Sequence, residues 1–253
     1  MSLVAALLAV ASALDPSSLP FGPGERATLK ITYAHLLAGR ATLSVIAHEI
    51  DGRPVLRFVT TAKSQGFFAW LFHFRVDDLT TADWDPESGC SLAIEKRLRE
   101  GRAVRDQRVR FDPVTGVAEV DDRKVPQRRF ELSPCTLDVL SAFFVARLRG
   151  VPDGGELTLP VFDNGKSYLL AVRFLGRERL DLPPPFGRKT PTLVVEPLLL
   201  EGTGLFVKEG RLKIWLSDDA RRVPVRMRSK VAIGSISADL ERYEAATPTG
   251  LSR

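Results

Sequence analysis

Carboxylates stand in pairs at Asp77-Asp78 and Asp218-Asp219, and singly in or beside otherwise apolar strands at Asp163 and Glu196. Two acids facing each other across a cleft could do acid/base work on a glycan. A plainer chemistry competes with it: Asp at a strand end bonds its own backbone and makes a turn, which is the preferred reading of Asp163 and of Asp218-Asp219. Within a strand, Asp77 and Asp78 point to opposite faces, so at most one of them enters a cavity. The three histidines, His35, His48 and His73, lack the close spacing of metal ligands, so neither a metal nor another cofactor is expected. No G-x-S-x-G elbow occurs, and Gly234-Ser235-Ile236-Ser237 reads as a hairpin turn entering a strand. These residues assign no catalytic group.

Three other features could bind rather than react. Between Lys96 and Arg129 stand eleven Lys/Arg against six Asp/Glu, an excess equal to the whole chain's net charge of +5. Arg97 and Arg99 share one strand face, as do Arg108 and Arg110, and together they could meet an anionic headgroup. The alternative is a solvated outer face whose charges discourage edge pairing. The run Phe67, Phe68, Ala69, Trp70, Leu71, Phe72 is too densely apolar to alternate. It could line the mouth of a lipid-sized cavity, or form a short helix plugging the core. The two cysteines, Cys90 and Cys135, are too far apart for a zinc or redox motif. They form a disulfide if the compartment is oxidising, and otherwise two buried thiols. Nucleic acid is not an expected partner, because no recognition motif accompanies the basic residues.

The elements that must position these groups are mostly strands. Turn pairs such as Asp51-Gly52, Glu100-Gly101, Asp112-Pro113 and Asn164-Gly165 recur at short intervals, and the runs between them alternate, as in Thr28-Leu29-Lys30-Ile31-Thr32-Tyr33. Alternation places one face on a core and the other in water, the signature of antiparallel sheet. One helix is predicted over 137–149, capped by Thr136 and closed by Gly150, with Leu137, Leu140, Phe144 and Leu148 as its apolar stripe, widened by Phe143 and Val139. It would lie across an open sheet. A faint internal echo (Trp84 and an Asp turn, Trp215 and an Asp turn) points to two fused β-meanders, about 22–125 and 151–245, joined by that helix in one unit over 14–253.

At the N-terminus, an apolar stretch from Val4 to Val10 followed by Ala11-Ser12-Ala13 predicts a signal peptide over 1–13 and a mature start near Leu14. The alternative is an apolar terminal strand or helix. No later stretch approaches the ~20 apolar residues that span a bilayer.

Several stretches carry a resemblance: Asp138-Val139-Leu140-Ser141-Ala142, then Pro160 to Tyr168, Gly210 to Asp219, Val223-Pro224-Val225-Arg226 and Gly234-Ser235-Ile236. They resemble the exported bacterial family catalogued as domain of unknown function 3108, over roughly Phe21 to Tyr243. A looser, fold-level likeness is to the outer-membrane lipoprotein carriers, which are incomplete antiparallel barrels with helices over an apolar concavity. The resemblance implies a mainly β, incomplete barrel and a periplasmic location. Combined with the residues, it leads to an expected binding or carrier protein for an amphipathic, anionic envelope molecule such as a lipid, lipoprotein or glycolipid, with envelope proteins as further partners. In that expectation Phe67, Phe68, Trp70, Leu71 and Phe72 meet the apolar part, and Arg97, Arg99, Arg108 and Arg110 the headgroup. Two alternatives stay open: a glycan-acting enzyme using acids such as Asp77, Asp163 or Glu196, and a structural or assembly factor that pairs through sheet edges.

Overall fold

The computed structural model describes residues 19–65, 75–122, 125–199, 212–230 and 234–247, so the predicted signal segment lies outside the described residues. Fourteen strands follow in order: β1 (Arg26–Tyr33), β2 (Leu36–Ile50), β3 (Arg53–Ser64), β4 (Asp77–Trp84), β5 (Ser91–Glu100), β6 (Ala103–Asp112), β7 (Val117–Asp122) and β8 (Val125–Glu131). After a helix, α1 (Val139–Arg149), come β9 (Glu156–Asp163), β10 (Lys166–Leu182), β11 (Gly187–Leu199), β12 (Leu212–Ser217), β13 (Pro224–Lys230) and β14 (Ser235–Glu244). All lie in one antiparallel sheet, ordered β8-β7-β6-β5-β4-β3-β2-β1-β14-β13-β12-β11-β10-β9. The first and last strands meet in the middle, with Arg26 opposite Glu244 and Tyr33 opposite Ile236.

Alternation works locally as period two requires: in β6, Gln107, Val109 and Phe111 are buried while Arg108 and Arg110 face out. Register shifts at Thr28/Leu29, Asp83/Trp84, Phe174/Gly176 and Trp215/Leu216 add twist, and the long sheet curls on itself. Its two ends meet through side chains, Phe130 of β8 against Phe162 of β9 with ring centroids 5.2 Å apart. Neither end is a bare edge. Leu137 makes a parallel bridge to Val161, its N–H donating to the Pro160 carbonyl and its own carbonyl accepting from Phe162. At the other end, β8 carries Pro126, Arg128 and Arg129, all exposed, devices that discourage strand addition.

The helix begins two residues later than its sequence predicts, and Asp138, not Thr136, is its N-cap. The Leu137 bridge holds that residue in the sheet's register, and the Asp138 carboxylate accepts the Leu140 and Ser141 N–H groups. Thr136 instead donates to the Ser133 carbonyl. Gly150 closes the helix at φ 71°, a conformation that favours glycine. Burial extends well beyond the expected stripe, to Ala142, Val145, Ala146 and Arg147.

Core packing is aromatic on one side of α1. Phe144 stacks on Phe58 with centroids 3.8 Å apart, Phe21 meets both edge-on, and Trp84 adjoins them. A second cluster gathers Leu29, Val194, Trp215, Val225 and Tyr243 under the far end of the β10–β11 hairpin, where Leu182 and Phe186 pack.

Candidate functional site

Both ends of α1 are fastened to the sheet by buried polar groups. At the N-terminus, Ser91 donates to the Asp138 carboxylate at 2.7 Å and accepts the Asp138 N–H at 2.8 Å, and Ser141 donates to the same carboxylate at 2.5 Å. Next to this anchor, Cys90 and Cys135 are joined in a disulfide with Cα atoms 4.7 Å apart. Lys96 of β5 and Asp163 of β9 form a nearly buried ion pair between the two halves of the sheet. At the C-terminus, Arg147 is 1% exposed and pairs with Glu25 at 2.8 Å. It also donates to the carbonyls of Arg221 and Arg222, each at 3.0 Å. Arg222 reciprocates by donating to the Arg147 carbonyl at 2.8 Å.

Between these anchors α1 presents a second apolar face. Val139, Ala142, Phe143 and Ala146 recur at helical spacing and turn away from the Phe58 stack. Opposite them stand Leu170 and Val172 of β10, Val195 and Pro197 of β11, Leu212, Ile214 and Leu216 of β12, and Met227 of β13. Because two of the four helix residues are alanines, helix and sheet do not fill the gap, and a cavity of about 180 Å³ remains. Among the described residues, Arg147 is the one charged residue in its lining, and its guanidinium is engaged by Glu25. The cavity therefore offers dispersion and desolvation rather than polar recognition.

The arginines and paired acids singled out from sequence are placed elsewhere. Phe67, Phe68, Trp70, Leu71 and Phe72 lie outside the described residues, in the connection between β3 and β4. Arg97 and Arg99 of β5 and Arg108 and Arg110 of β6 do come together on one exposed face. Carboxylates are interleaved with them: Glu95 lies 2.7 Å from Arg108 and 3.5 Å from Arg97, and Glu119 lies 3.5 Å from Arg110 and 2.5 Å from Arg129. This face borders a polar hollow of about 120 Å³ and shares no lining residue with the apolar cavity.

The acids are dispersed too. Asp77 pairs with Lys63, Asp78 accepts the Arg99 N–H, Asp218 pairs with Arg177, and Asp219 accepts N–H groups of its own turn. Among the described residues, no three His, Cys, Asp or Glu side chains are grouped to hold a metal ion. Sequence reasoning passed over Ala142, Ala146, Val195 and Met227. The readable signal was a second helical stripe through Val139 and Phe143 that contains small residues.

Glu25 gives the anchor a pH signature. Burial raises its carboxyl above the usual range, against the pull of Arg147. A carboxyl with a raised value in the fold binds its proton more tightly there than in the unfolded chain, so stability falls as pH rises through that interval. Relative to Glu25→Gln, which cannot titrate, the wild type should lose stability as pH rises above 4.5, the ordinary value. Urea midpoints of both proteins at about pH 4 and about pH 7 measure this. A difference moving the opposite way would mean that the attraction to Arg147 outweighs desolvation.

Comparison with known proteins bears on fold and family. Among solved structures, the chain is similar to a β-barrel-like protein of domain of unknown function DUF1849 from Brucella abortus, with a TM-score of 0.61 and 10% identity over 90% of this chain and 99% of that one. At that identity the likeness shows the fold alone. Comparison with curated proteins gives no match. The profile of the family described as "Protein of unknown function (DUF3108)" matches residues 28–241. Spanning nearly all of the described sheet and the helix across it, that match establishes that the chain belongs to the DUF3108 family.

Proposed function

We propose that this protein is a periplasmic binding or carrier protein for an amphipathic envelope molecule, whose apolar part occupies the cavity between α1 and β10–β13. The observation carrying this reading is the cavity itself, lined almost entirely by aliphatic side chains, while the acids Asp77, Asp163, Asp218 and Asp219 are engaged in turns and ion pairs. Its volume of about 180 Å³ suits an aromatic ring or a short stretch of one acyl chain; an engineered apolar cavity of about 150 Å³ suffices for benzene. A ligand anchored there is a single chain, with its remainder and its polar end outside. An anionic headgroup at Arg97, Arg99, Arg108 and Arg110 would compete with Glu95 and Glu119, so the apolar contact is the stronger part of the reading. The covered edge at β9 and the Pro126-bearing edge at β8 support this reading over assembly by strand addition.

The test is uptake of 1-anilinonaphthalene-8-sulfonate, an aromatic anion of suitable size, followed by its displacement with lipids extracted from protein purified from its own host. Val172→Phe and Val195→Phe, each placing a ring in the cavity, should weaken uptake about tenfold while costing ~1–3 kcal/mol of stability from crowding. Undiminished uptake by both folded variants, or protein that carries no lipid from its host, would remove the cavity from the function.

A further inference from the structure

One rim of the sheet is amphipathic across five successive strands. Directly opposite residues in antiparallel strands share a face, and the pairings Leu36–Tyr33, Tyr33–Ile236, Ile236–Ser229 and Ser229–Leu212 run across β2, β1, β14, β13 and β12. This row begins at Leu212, which lines the apolar cavity. It ends in open solvent, where Ile236 is 37% exposed and Leu36 48%. The adjoining row takes the other face, through Leu37, Thr32, Ser237, Arg228 and Lys213. Leu37 is 44% exposed, so the β1–β2 tip shows leucine on both faces. A hairpin tip with leucines on both sides projects beyond the core.

The second row is basic. Lys213, Arg228 and Lys230 are exposed, and among the described residues they make no ion pair. Arg228 donates to the Ser237 hydroxyl at 3.2 Å and lies over the Trp215 ring. They differ in this from the arginines of β5 and β6, which are interleaved with Glu95 and Glu119. Cations with no ion pair among the described residues, beside protruding leucines, match an interface with anionic headgroups above and hydrocarbon below.

We infer that this rim docks on an anionic lipid surface, and that the Leu36-to-Leu212 row is the path by which an acyl chain passes between bilayer and cavity. The inference rests on the carrier reading above and adds to it a partner and a point of entry. Lys213, Arg228 and Lys230 hold the headgroups, and Leu36, Leu37 and Ile236 enter the interface. The row, apolar but for Ser229 and the Tyr33 hydroxyl, brings the membrane's hydrocarbon to the cavity wall with little exposure of the chain to water.

Sedimentation of the full protein with vesicles tests this, using phosphatidylcholine alone and phosphatidylcholine with phosphatidylglycerol. Binding is expected only to the anionic vesicles and should fall as salt rises, because exposed charges are screened over ~10 Å at 0.1 M. The variant Leu36→Ser/Leu37→Ser/Ile236→Ser and the variant Lys213→Glu/Arg228→Glu/Lys230→Glu should each reduce binding at least ~10-fold. Both should take up anilinonaphthalene sulfonate from solution as the wild type does. Val195→Phe should do the reverse, keeping vesicle binding and losing uptake. Thus loss of uptake in the wild type sinks the carrier reading, and loss of vesicle binding sinks this one. Equal binding to both vesicle types, undiminished binding by the two surface variants, or a concentration-dependent dimer dissolved by the leucine substitutions in place of vesicle binding would each overturn the proposal.

Discussion

Arg147→Met is expected to destabilise the protein by about 3–5 kcal/mol, the cost of breaking a buried ion pair from one side. Glu25 is only 4% exposed, and its Oε2 atom has no hydrogen-bond partner among the described residues even with Arg147 present. Without the guanidinium, a buried carboxylate is left uncompensated, and the Arg221 and Arg222 carbonyls lose the donors that reach them. Met keeps an apolar stem of similar length but loses the guanidinium that lies over the Phe21 and Phe144 rings, 5.3 and 5.1 Å from their centroids, so lost cation–π contact adds to the lost ion pair. For a chain of this size the thermal midpoint should fall by roughly 6–20 °C. The double variant Glu25→Gln/Arg147→Met should recover a large share, since it removes the stranded charge. Arg149→Met, on the exposed side of the last turn, should stay within ~0.5 kcal/mol. An Arg147→Met protein less than ~1 kcal/mol below wild type would show that water reaches Glu25 and that the helix is held otherwise.

The second large effect concerns the other end of the helix. Cys90 and Cys135 close a loop with a sequence separation of 45, and in the chain-entropy account such a loop contributes about 4 kcal/mol by restricting the unfolded chain. Cys90→Ala/Cys135→Ala should therefore lower the urea midpoint by the equivalent of that amount, and so should reduction of the wild type. The Ser91–Asp138 hydrogen bonds beside the disulfide remain in either case. The native sheet should consequently persist below the transition, with an unchanged far-ultraviolet spectrum. Identical midpoints for oxidised and reduced protein would mean that the unfolded chain is already constrained in this region.

Legibility followed the range of the interactions involved. Alternation in β1 and β6, the turn at Asn164-Gly165 and the glycine ending α1 are local, and each can be read from a few neighbouring residues. The helix start was misplaced by two residues because Leu137 answers to Val161, a strand partner that no local window contains. The basic stretch shows the same dependence on distant partners. Its linear excess of Lys and Arg divides between two faces, with Lys96 turned inward to Asp163 while Arg97 and Arg108 stay outside with Glu95.

From residue order alone come the class of the fold, its antiparallel sheet, the helix across it and the family to which the chain belongs. Period-two and period-3.6 patterns are enough for the class, the sheet and the helix, because they record which side of each element meets water; the family comes from the resemblance of particular stretches such as Pro160 to Tyr168 and Gly210 to Asp219. The cavity is different in kind. It exists because β10 to β13 curl toward α1 at the place where Ala142 and Ala146 are small, and because Arg147, Glu25 and Arg222 lock the helix at that height. Those partners come from separate parts of the chain, brought together only when β1 pairs with β14. Empty space between elements is set by how far apart they are held, and that distance is a property of the closed sheet.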